Sequence, residues 1–382
     1  MANTLTNLLP DAYEALNVVS REMTGFIPAV TRDSNAARAA IGQTVRVPIT
    51  PAASTATNTP GVTPPDTGDV AVDNATIAIT KSKHVPIRFN GEETLGLSNA
   101  GTFSSIKAER IYQGMRALVN EIETDIRNAA YVAASRAYGT AGTTPFGTAG
   151  DMSDFAGVLR ILEENGAPLA DLQLALGHAA IGNLRGKQSG LFKVNEAGSA
   201  DMLRNGMTDR VMNMAIRHSN AITTHTKGTG ASYLVNNGSG YAVDATTIAA
   251  DTGSGTVLAG DVVTFAGDTN KYVVGTALSG GSLALNKPGL RAALADNTAI
   301  TVGNTYTTNL AFSRSAIVLA TRAPAMPEGG DGATGVEQIT DPMTGLVFEI
   351  AEYKQYLQTS YHIRLAWGTS AIKPNHIATL LG

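Results

Sequence analysis

The residue spacing most suggestive of catalysis is Ser104–Ser105–Ile106–Lys107, which matches the S-x-x-K pattern of acyl-enzymes. In those enzymes the serine is the nucleophile, and S-D-N and K-T-G elements complete the site. This sequence contains neither element, and Ser104 stands at the start of a long predicted helix. We therefore interpret the spacing as a chance match and predict no nucleophilic site.

Residues that could bind a metal, a phosphate or a cofactor are equally scattered. The six histidines show no H-E-x-x-H or similar spacing, and His218 and His225 are seven residues apart with no acidic residue between them. The stretch 329–332 has one carboxylate and lacks the calcium-loop pattern, and 228–230 does not continue into a phosphate-binding motif. The absence of cysteine excludes disulfides, thiol catalysis and thiolate zinc sites. We predict no catalytic, cofactor or metal site, and no enzyme.

The composition of the 382 residues indicates a large core with little surface charge. Hydrophobic residues make up 43% and charged residues only 16%, against about 25% charged in an ordinary soluble domain. Such a surface is suited to being covered by copies of the same chain. The net charge of −4 provides no global basic field for nucleic acid. No apolar run approaches the roughly 18 residues that span a membrane, and the N-terminus lacks a signal-peptide pattern.

Two helices are predicted in the first third of the sequence. Residues 8–24 place Tyr13, Leu16 and Val19 on a narrow apolar stripe, which must dock on another surface such as a neighbouring chain. Residues 103–138 carry a longer stripe, and the helix would be about 50 Å long at 1.5 Å per residue. It is therefore a spine rather than a core element. The charged residues beside its stripe, interpreted as a solvated or salt-bridged face, are Glu109, Arg110, Arg116, Glu121, Glu123 and Arg127.

Residues 43–89 are predicted to form a long two-stranded arm with an irregular tip. Apolar residues alternate at 45–49 and again at 75–89, and a stretch rich in Pro, Thr, Gly and Asp separates the two runs. An isolated hairpin is marginal in water, so the arm needs a neighbour's surface. Lys81 and Lys83 lie at its base. Three interpretations of these lysines are open. They could be solvated residues that discourage edge pairing, they could form intersubunit ion pairs, or one of them could form a covalent bond to a neighbouring asparagine.

The rest of the chain changes character twice. Residues 150–225 alternate helix and strand, with a strand at 172–176 followed by a short helix at 178–185. Residues 226–306 lose the helical period, and short strands between glycine turns predict a small β-barrel or sandwich inserted into a surface loop. The strands predicted there are 256–265, 271–275, 282–285 and 299–302. Residues 309–382 return to mixed structure.

Three stretches stand out as a family signature: NLAFSRSAIVLATRAP at 309–324, YHIRLAWGTSAIKP at 361–374 and LAGDVVTFAG at 258–267. Together with the order of the elements, they resemble the major capsid (coat) proteins of tailed bacteriophages. The likeness is greatest to the coat proteins of short-tailed Salmonella-type phages, in which a β-domain interrupts the capsid fold.

The resemblance implies an α+β fold of the Hong Kong 97 type with an inserted small β-barrel. Its parts would be an N-terminal arm at 1–40, an extended loop at 41–92, a peripheral domain at 93–149 with the spine helix 103–138, an axial domain at 150–225, the inserted domain at 226–306, and a return segment of the axial and peripheral domains at 307–382.

The same resemblance implies a structural function. The protein would self-assemble, as hexamers and pentamers, into an icosahedral capsid around a double-stranded DNA genome, through a scaffold-assisted procapsid and a maturation step. The implied partners are further copies, a scaffolding protein, a portal and non-specifically held DNA, with no membrane. The location would be the virion, after assembly in the host cytoplasm. The candidate intersubunit contacts are Arg46, Lys81, Lys83, Tyr13, Leu16 and Val19.

Three alternatives are open. An encapsulin-type cargo shell would share the fold but lack the inserted β-domain. A hydrolase with a β-rich accessory domain would need a nucleophile and base, which the sequence does not offer. A secreted β-rich adhesin is disfavoured by the missing signal peptide and the long helix.

Overall fold

A computed structural model describes residues 22–49, 53, 55–63, 73–99, 101–188 and 210–382. The helix predicted over 8–24, with Tyr13, Leu16 and Val19, lies outside these residues except for 22–24, which are not helical. Within the described part the helices are α1 Gly91–Asn99, α2 Phe103–Ala133, α3 Ser153–Glu164 and α4 His178–Lys187. The strands are β1 Thr31–Ala39, β2 Thr44–Ile49, β3 Asp73–Ala78, β4 Lys81–Asn90, β5 Arg136–Tyr138, β6 Leu172–Leu176, β7 Arg210–Val211, β8 Met214–His218, β9 Thr224–His225, β10 Tyr233–Val235, β11 Thr247–Asp251, β12 Val262–Phe265, β13 Lys271–Ser279, β14 Ser282–Leu285, β15 Ala299–Val302, β16 Tyr306–Ser313, β17 Ile317–Pro324, β18 Gly335–Thr340, β19 Val347–Gln355, β20 Gln358–Ala371 and β21 Ile377–Leu381.

Helix α2 is the long helix that the sequence predicts, but it is shorter than predicted. Its apolar stripe is buried from Ile111 to Ile126. The helix ends at Ala133 rather than at residue 138, because Ala134 leaves helical geometry and residues 136–138 form β5. Strand β5 pairs with β13 and with β21, so its backbone groups are satisfied by two strand ladders instead of a further helical turn.

The sheet under α2, called sheet A, has the order β1-β17-β20-β19-β18, with β4 also beside β20. Strands β1 and β17 are parallel, and the other pairs are antiparallel. Helix α2 crosses one face so closely that a Cβ on Gly114 would collide with the side chain of Ile363. The apolar residues between α2 and sheet A belong to the largest core cluster of the described chain.

Residues 81–89, which the sequence assigned to the arm, belong to sheet A. Strand β4 pairs with β20 from Lys81 opposite Trp367 to Asn90 opposite Gln358. Ile87 and Phe89 are consequently buried in the core that α2 covers. The prediction of one long arm was wrong here because a period of two indicates a half-buried strand without indicating its partner.

A second sheet, called sheet B, has the order β5-β21-β16-β6-β8-β7, with β9 beside β16. Helices α3 and α4 contribute Phe155, Leu162 and Ile181 to the core cluster that also contains Leu174 of the sheet. The strand predicted at 172–176 and the helix predicted at 178–185 are confirmed as β6 and α4.

Residues 233–302 form six strands whose pairings close on themselves in the order β12-β15-β10-β11-β14-β13-β12. All six pairings are antiparallel, and the strands enclose a core cluster of their own. We call this unit the six-strand ring. Strand β13 also pairs with β5, so the ring is joined to sheet B by hydrogen bonds and not only by its two chain connections.

Candidate assembly surfaces

The arm is the hairpin β2–β3, which is fixed at its base and exposed beyond it. Its strands pair from Thr44 opposite Ala78 to Ile49 opposite Asp73. At the base, Ile77 is fully buried in a cluster with residues of β17 and β20. Farther out, every described residue of 55–63 is exposed. The hairpin therefore rests on its own chain at one end and presents the other end outward.

The base of the arm crosses β20 in backbone contact. The amide of Thr80 donates to the carbonyl of Trp367 at 3.1 Å. A Cβ on Gly368 would overlap with the carbonyl of Ala78. Only glycine permits this approach without displacement, so Gly368 helps to set the position from which the arm leaves sheet A.

Lys81 and Lys83 bind the spine helix of their own chain. Lys81 Nζ lies 2.8 Å from both Glu121 Oε1 and Asp125 Oδ1, and Lys83 Nζ lies 2.6 Å from Glu121 Oε1. The indole of Trp367 donates to Asp125 Oδ2 at 2.9 Å. We call these five residues the lysine cluster. Contacts of the two lysines with another subunit stay a prediction.

The pKa values in the lysine cluster follow from the pairing. Burial acts against the charged forms of Lys81 and Glu121, but their hydrogen bonds to oppositely charged groups outweigh it. The pKa of Lys81 is therefore raised and that of Glu121 is lowered. Both groups stay charged near neutral pH and join β4 to α2.

The remaining candidate contacts are Arg46 and three residues near the N-terminus. Arg46 lies on β2 opposite Thr76, with its side chain exposed on the arm. Its role between subunits stays a prediction. Tyr13, Leu16 and Val19 lie outside the described residues.

Residues 22–30 form a strap across α2 that sequence reasoning missed. Glu22 forms an ion pair with Arg116. The hydrogen bond from the Arg116 guanidinium lowers the pKa of Glu22 to about 2. Glu123 accepts hydrogen bonds from the backbone amides of residues 25, 26 and 27 and from the hydroxyl of Ser219. Phe26 stacks on Phe312 of β16. The strap thus joins α2 to sheet B.

Glu123 and Arg127 correct the interpretation of the charged face of α2. Both are buried, with exposures of 2% and 8%. Arg127 donates to the carbonyl of Ala221 and to Thr223 and lies over the ring of Tyr131. Both residues directly follow isoleucines of the apolar stripe, Ile122 and Ile126. A residue beside such a stripe becomes buried when other elements cover both sides of the helix. This position is the sequence feature that could have identified them.

A second outward-facing surface, which is apolar, lies at the end of sheet A. The β19–β20 turn presents Tyr356 and Leu357, which are 89% and 71% exposed. Leu357 has a φ of 52°, a left-handed conformation that usually favours glycine or asparagine. Helix α1 lies near this turn with no buried residue, and Leu95 on it is 63% exposed. We call Leu95, Tyr356 and Leu357 the apolar tip.

The lysine of the S-x-x-K stretch lies beside aromatic rings. Lys107 Nζ lies 5.7 Å and 5.9 Å from the ring centres of Phe103 and Tyr361, and Ser104 is exposed at the start of α2. In the described part of the chain, no three His, Asp or Glu residues come together as a metal site would require. The helices of that part include none that is long and apolar enough to cross a membrane.

Comparisons with known proteins give a likeness of fold. No protein-family model matches the sequence, and no curated protein matches it. The capsid structure of the cyanophage P-SCSP1u matches over 95% of this chain and 89% of that chain, with a TM-score of 0.50 and 14% identity. A structure from Mycobacterium phage Che8 matches over 96% of this chain and 90% of that chain, with a TM-score of 0.46 and 12% identity. A virus-like particle from Pyrococcus furiosus matches over 98% of this chain and 97% of that chain, with a TM-score of 0.41 and 9% identity. The chain therefore has the mixed α/β fold of a bacteriophage capsid protein.

Proposed function

We propose that this protein is the major shell subunit of a bacteriophage capsid, which assembles with copies of itself into an icosahedral particle around double-stranded DNA. The observation that carries the proposal is the likeness of fold to the cyanophage capsid structure over 95% of the chain. The described chain offers two outward-facing surfaces for self-association, namely the arm and the apolar tip.

The arm supports self-association for an energetic reason. A two-stranded hairpin has little independent stability in water, and among the described residues of this one, those at the base are buried on the same chain while 55–63 are exposed. A neighbouring copy would cover the exposed part. The lysine cluster then acts within the subunit by fixing the direction in which the arm reaches, and Arg46 on the arm contacts the neighbour.

The apolar tip supports the same conclusion. Exposed side chains as large as Tyr356 and Leu357, the second at a left-handed backbone position, are unfavourable in a free monomer. Burial of an apolar side chain against a neighbour contributes about 25 cal/mol per Å². Many such contacts, repeated over a closed shell, give a stable particle from weak individual interfaces.

The division into capsid domains is part of the proposal. We infer that 41–92 corresponds to the extended loop, although β4 lies in sheet A, and that 93–149 and 150–225 correspond to the peripheral and axial domains. Residues 226–306 correspond to the inserted domain, and 307–382 return through both sheets. The closed pairing of the six-strand ring supports the inserted domain and argues against an encapsulin-type shell, which would lack it.

The partners follow from the same role. We propose that residues 1–30 contact a scaffolding protein or a neighbouring subunit, that a portal occupies one vertex, and that DNA is held without sequence preference. The net charge of −4 agrees with weak contact to DNA, which must later leave. The protein would be assembled in the host cytoplasm and reside in the virion.

Negative-stain electron microscopy of the purified chain, alone and with a scaffolding protein, tests the proposal. We expect closed shells or capsomers, and a dispersed monomer at high concentration in both samples would contradict it. A chain lacking residues 1–21, which retains the strap at 22–30, tests the scaffold contact, because unchanged scaffold content and shell size would refute that part alone.

A further inference from the structure

The motif LAGDVVTFAG contains an aspartate that the shell function does not use. Asp261 is 1% exposed and lies where the six-strand ring meets the rest of the chain. Its carboxylate accepts hydrogen bonds from the amide of Leu258 at 2.7 Å and from the amide of Gly228 at 3.1 Å. It also lies 2.9 Å from His225 Nε2. Because the carboxylate accepts, Nε2 of His225 carries the proton in this contact.

Two of the partners of Asp261, His225 and Gly228, lie on the segment that leads from the body into the ring, whereas Leu258 belongs to the ring itself. His225 on β9 is opposite Tyr306 on β16, so the segments leading into and out of the ring pair with each other. Gly228 follows on the incoming segment, and a Cβ there would collide with the carbonyl of Thr256 and with Asp261 itself. Asp261 therefore holds the incoming connection against the ring from inside.

His225 carries this contact to the spine helix. Its ring lies between Tyr131 of α2, at 5.5 Å, and Tyr306, at 5.4 Å. Tyr306 donates its hydroxyl to the carbonyl of Gly260 at 2.7 Å. A Cβ on Gly260 would collide with the ring of Tyr131. The turn at 260–261 thus packs directly on the last turns of α2.

A separate contact fixes the ring to the end of the same helix. Asn286, just after β14, donates from Nδ2 to the carbonyls of Val132 at 2.7 Å and Ala134 at 2.8 Å. These carbonyls lie at the C-terminus of α2, where helical partners are missing. The ring therefore caps the helix while Asp261 and His225 hold its neck.

We propose that Asp261 is a positioning residue which, through His225, locks the six-strand ring onto the C-terminal end of α2 so that ring and helix move as one body. The proposal gives Asp261 and His225 no catalytic role. The aromatic neighbours of His225 are Tyr131 and Tyr306, and the hydroxyl of Tyr306 already donates to the carbonyl of Gly260. The inference does not rest on the proposed function. It predicts that any change in the direction of α2 carries the ring with it.

Spin-label distances test the lock, and the absence of cysteine makes the labelling clean. Asn128→Cys on α2 and Ser282→Cys on β14 are both exposed positions. Labelled full-length chains are diluted with unlabelled chains so that only distances within one chain are measured. We expect one narrow distance distribution, which Asp261→Asn broadens at least twofold because the amide group cannot accept from both backbone N–H groups and His225 together.

Asp251→Asn is the matched control, since Asp251 is an exposed carboxylate of the same ring that accepts a hydrogen bond from its neighbour Thr252. We expect no broadening from it. Amide exchange of β13 is measured in parallel. If Asp261→Asn loses that protection, His225→Leu decides, because it removes the donor to Asp261, leaves both amide bonds to Asp261 in place and should also broaden the distribution. The deciding variant is the one that retains the amide protection of β13. If its distance distribution is as narrow as that of Asp251→Asn, the proposal is overturned.

Discussion

The lysine cluster allows a decisive test of whether Lys81 and Lys83 act within one subunit or between two. The perturbation is Lys81→Glu with Lys83→Glu, which places two carboxylates against Glu121 and Asp125. The compensating variant is Glu121→Lys with Asp125→Asn, in which the new side-chain amide at position 125 can still accept from the indole of Trp367. The structure gives both lysines partners in their own chain, so compensation should work only when all four changes share one chain.

The size of the effect follows from exposure. Lys81, Glu121 and Asp125 are 34%, 27% and 18% exposed, whereas Lys83 is 50% exposed. We assign about 1 kcal/mol to each contact of Lys81 and about 0.5 kcal/mol to that of Lys83. Reversal also adds repulsion of similar size, so the double reversal should lower the free energy of unfolding by about 3–5 kcal/mol.

Two assays report on the two possibilities. The single tryptophan, Trp367, is buried in the cluster, and its fluorescence follows urea unfolding. Electron microscopy follows assembly. We expect the double reversal to lower the urea midpoint and the yield of shells, and the fourfold variant to restore most of both. A mixture of the two separate double variants should restore neither.

The opposite pattern would refute the reasoning. If the mixture recovers assembly while the urea midpoint of the double reversal equals that of the unchanged protein, the lysines act between subunits. Arg46→Glu serves as a control because it lies on the arm outside the cluster. It should leave the urea midpoint unchanged and weaken assembly alone.

Three further perturbations have expected outcomes in urea unfolding. Gly368→Ala should cost about 2–3 kcal/mol, because the added methyl group overlaps with backbone at the base of the arm. Glu123→Ala should cost about 3 kcal/mol or more, because it leaves three amides of the strap without their acceptor. Burial lowers the pKa values of His218 and His362 below 6.5, so the unfolded chain binds protons that the folded chain does not, and stability should fall as the pH drops below 6.5.

Each of these has a control. Gly182→Ala, on α4 with open space around it, should stabilise by about 0.5–1 kcal/mol. Glu109→Ala, exposed on the same helix as Glu123, should change little. His362→Gln should reduce the slope of stability against pH below 6.5. An unfolding midpoint that stays constant as the pH falls below 6.5 in the unchanged protein would contradict the pH prediction.

Much of the local structure could be predicted from residue patterns. The apolar stripe of α2, the alternation of β2 with β3, and the strands at 271–275, 282–285 and 299–302 are all present. Patterns of this kind report which side of an element is apolar, and each element needs that side covered. They therefore predict elements well.

Partners of elements could not be predicted in the same way. The alternation of β4 suits an arm and a sheet equally, and residues 136–138 continue a helical pattern although they lie between two strands. In both cases, hydrogen bonds to strands distant in sequence decided the outcome. Glu123 was likewise assigned to a solvated or salt-bridged face because its acceptor role depends on residues 25–27, which lie far away in the sequence.

The sequence alone determined a long amphipathic helix, the alternating strands β2 and β3, and a glycine-rich β segment, because composition and periodicity follow directly from the order of residues. The tertiary structure decided where the two lysines find their carboxylates, which glutamate is buried, and how Asp261 joins the six-strand ring to the helix. Those contacts join residues tens to hundreds of positions apart, and their energies depend on distance and burial, which arise only when the chain is folded.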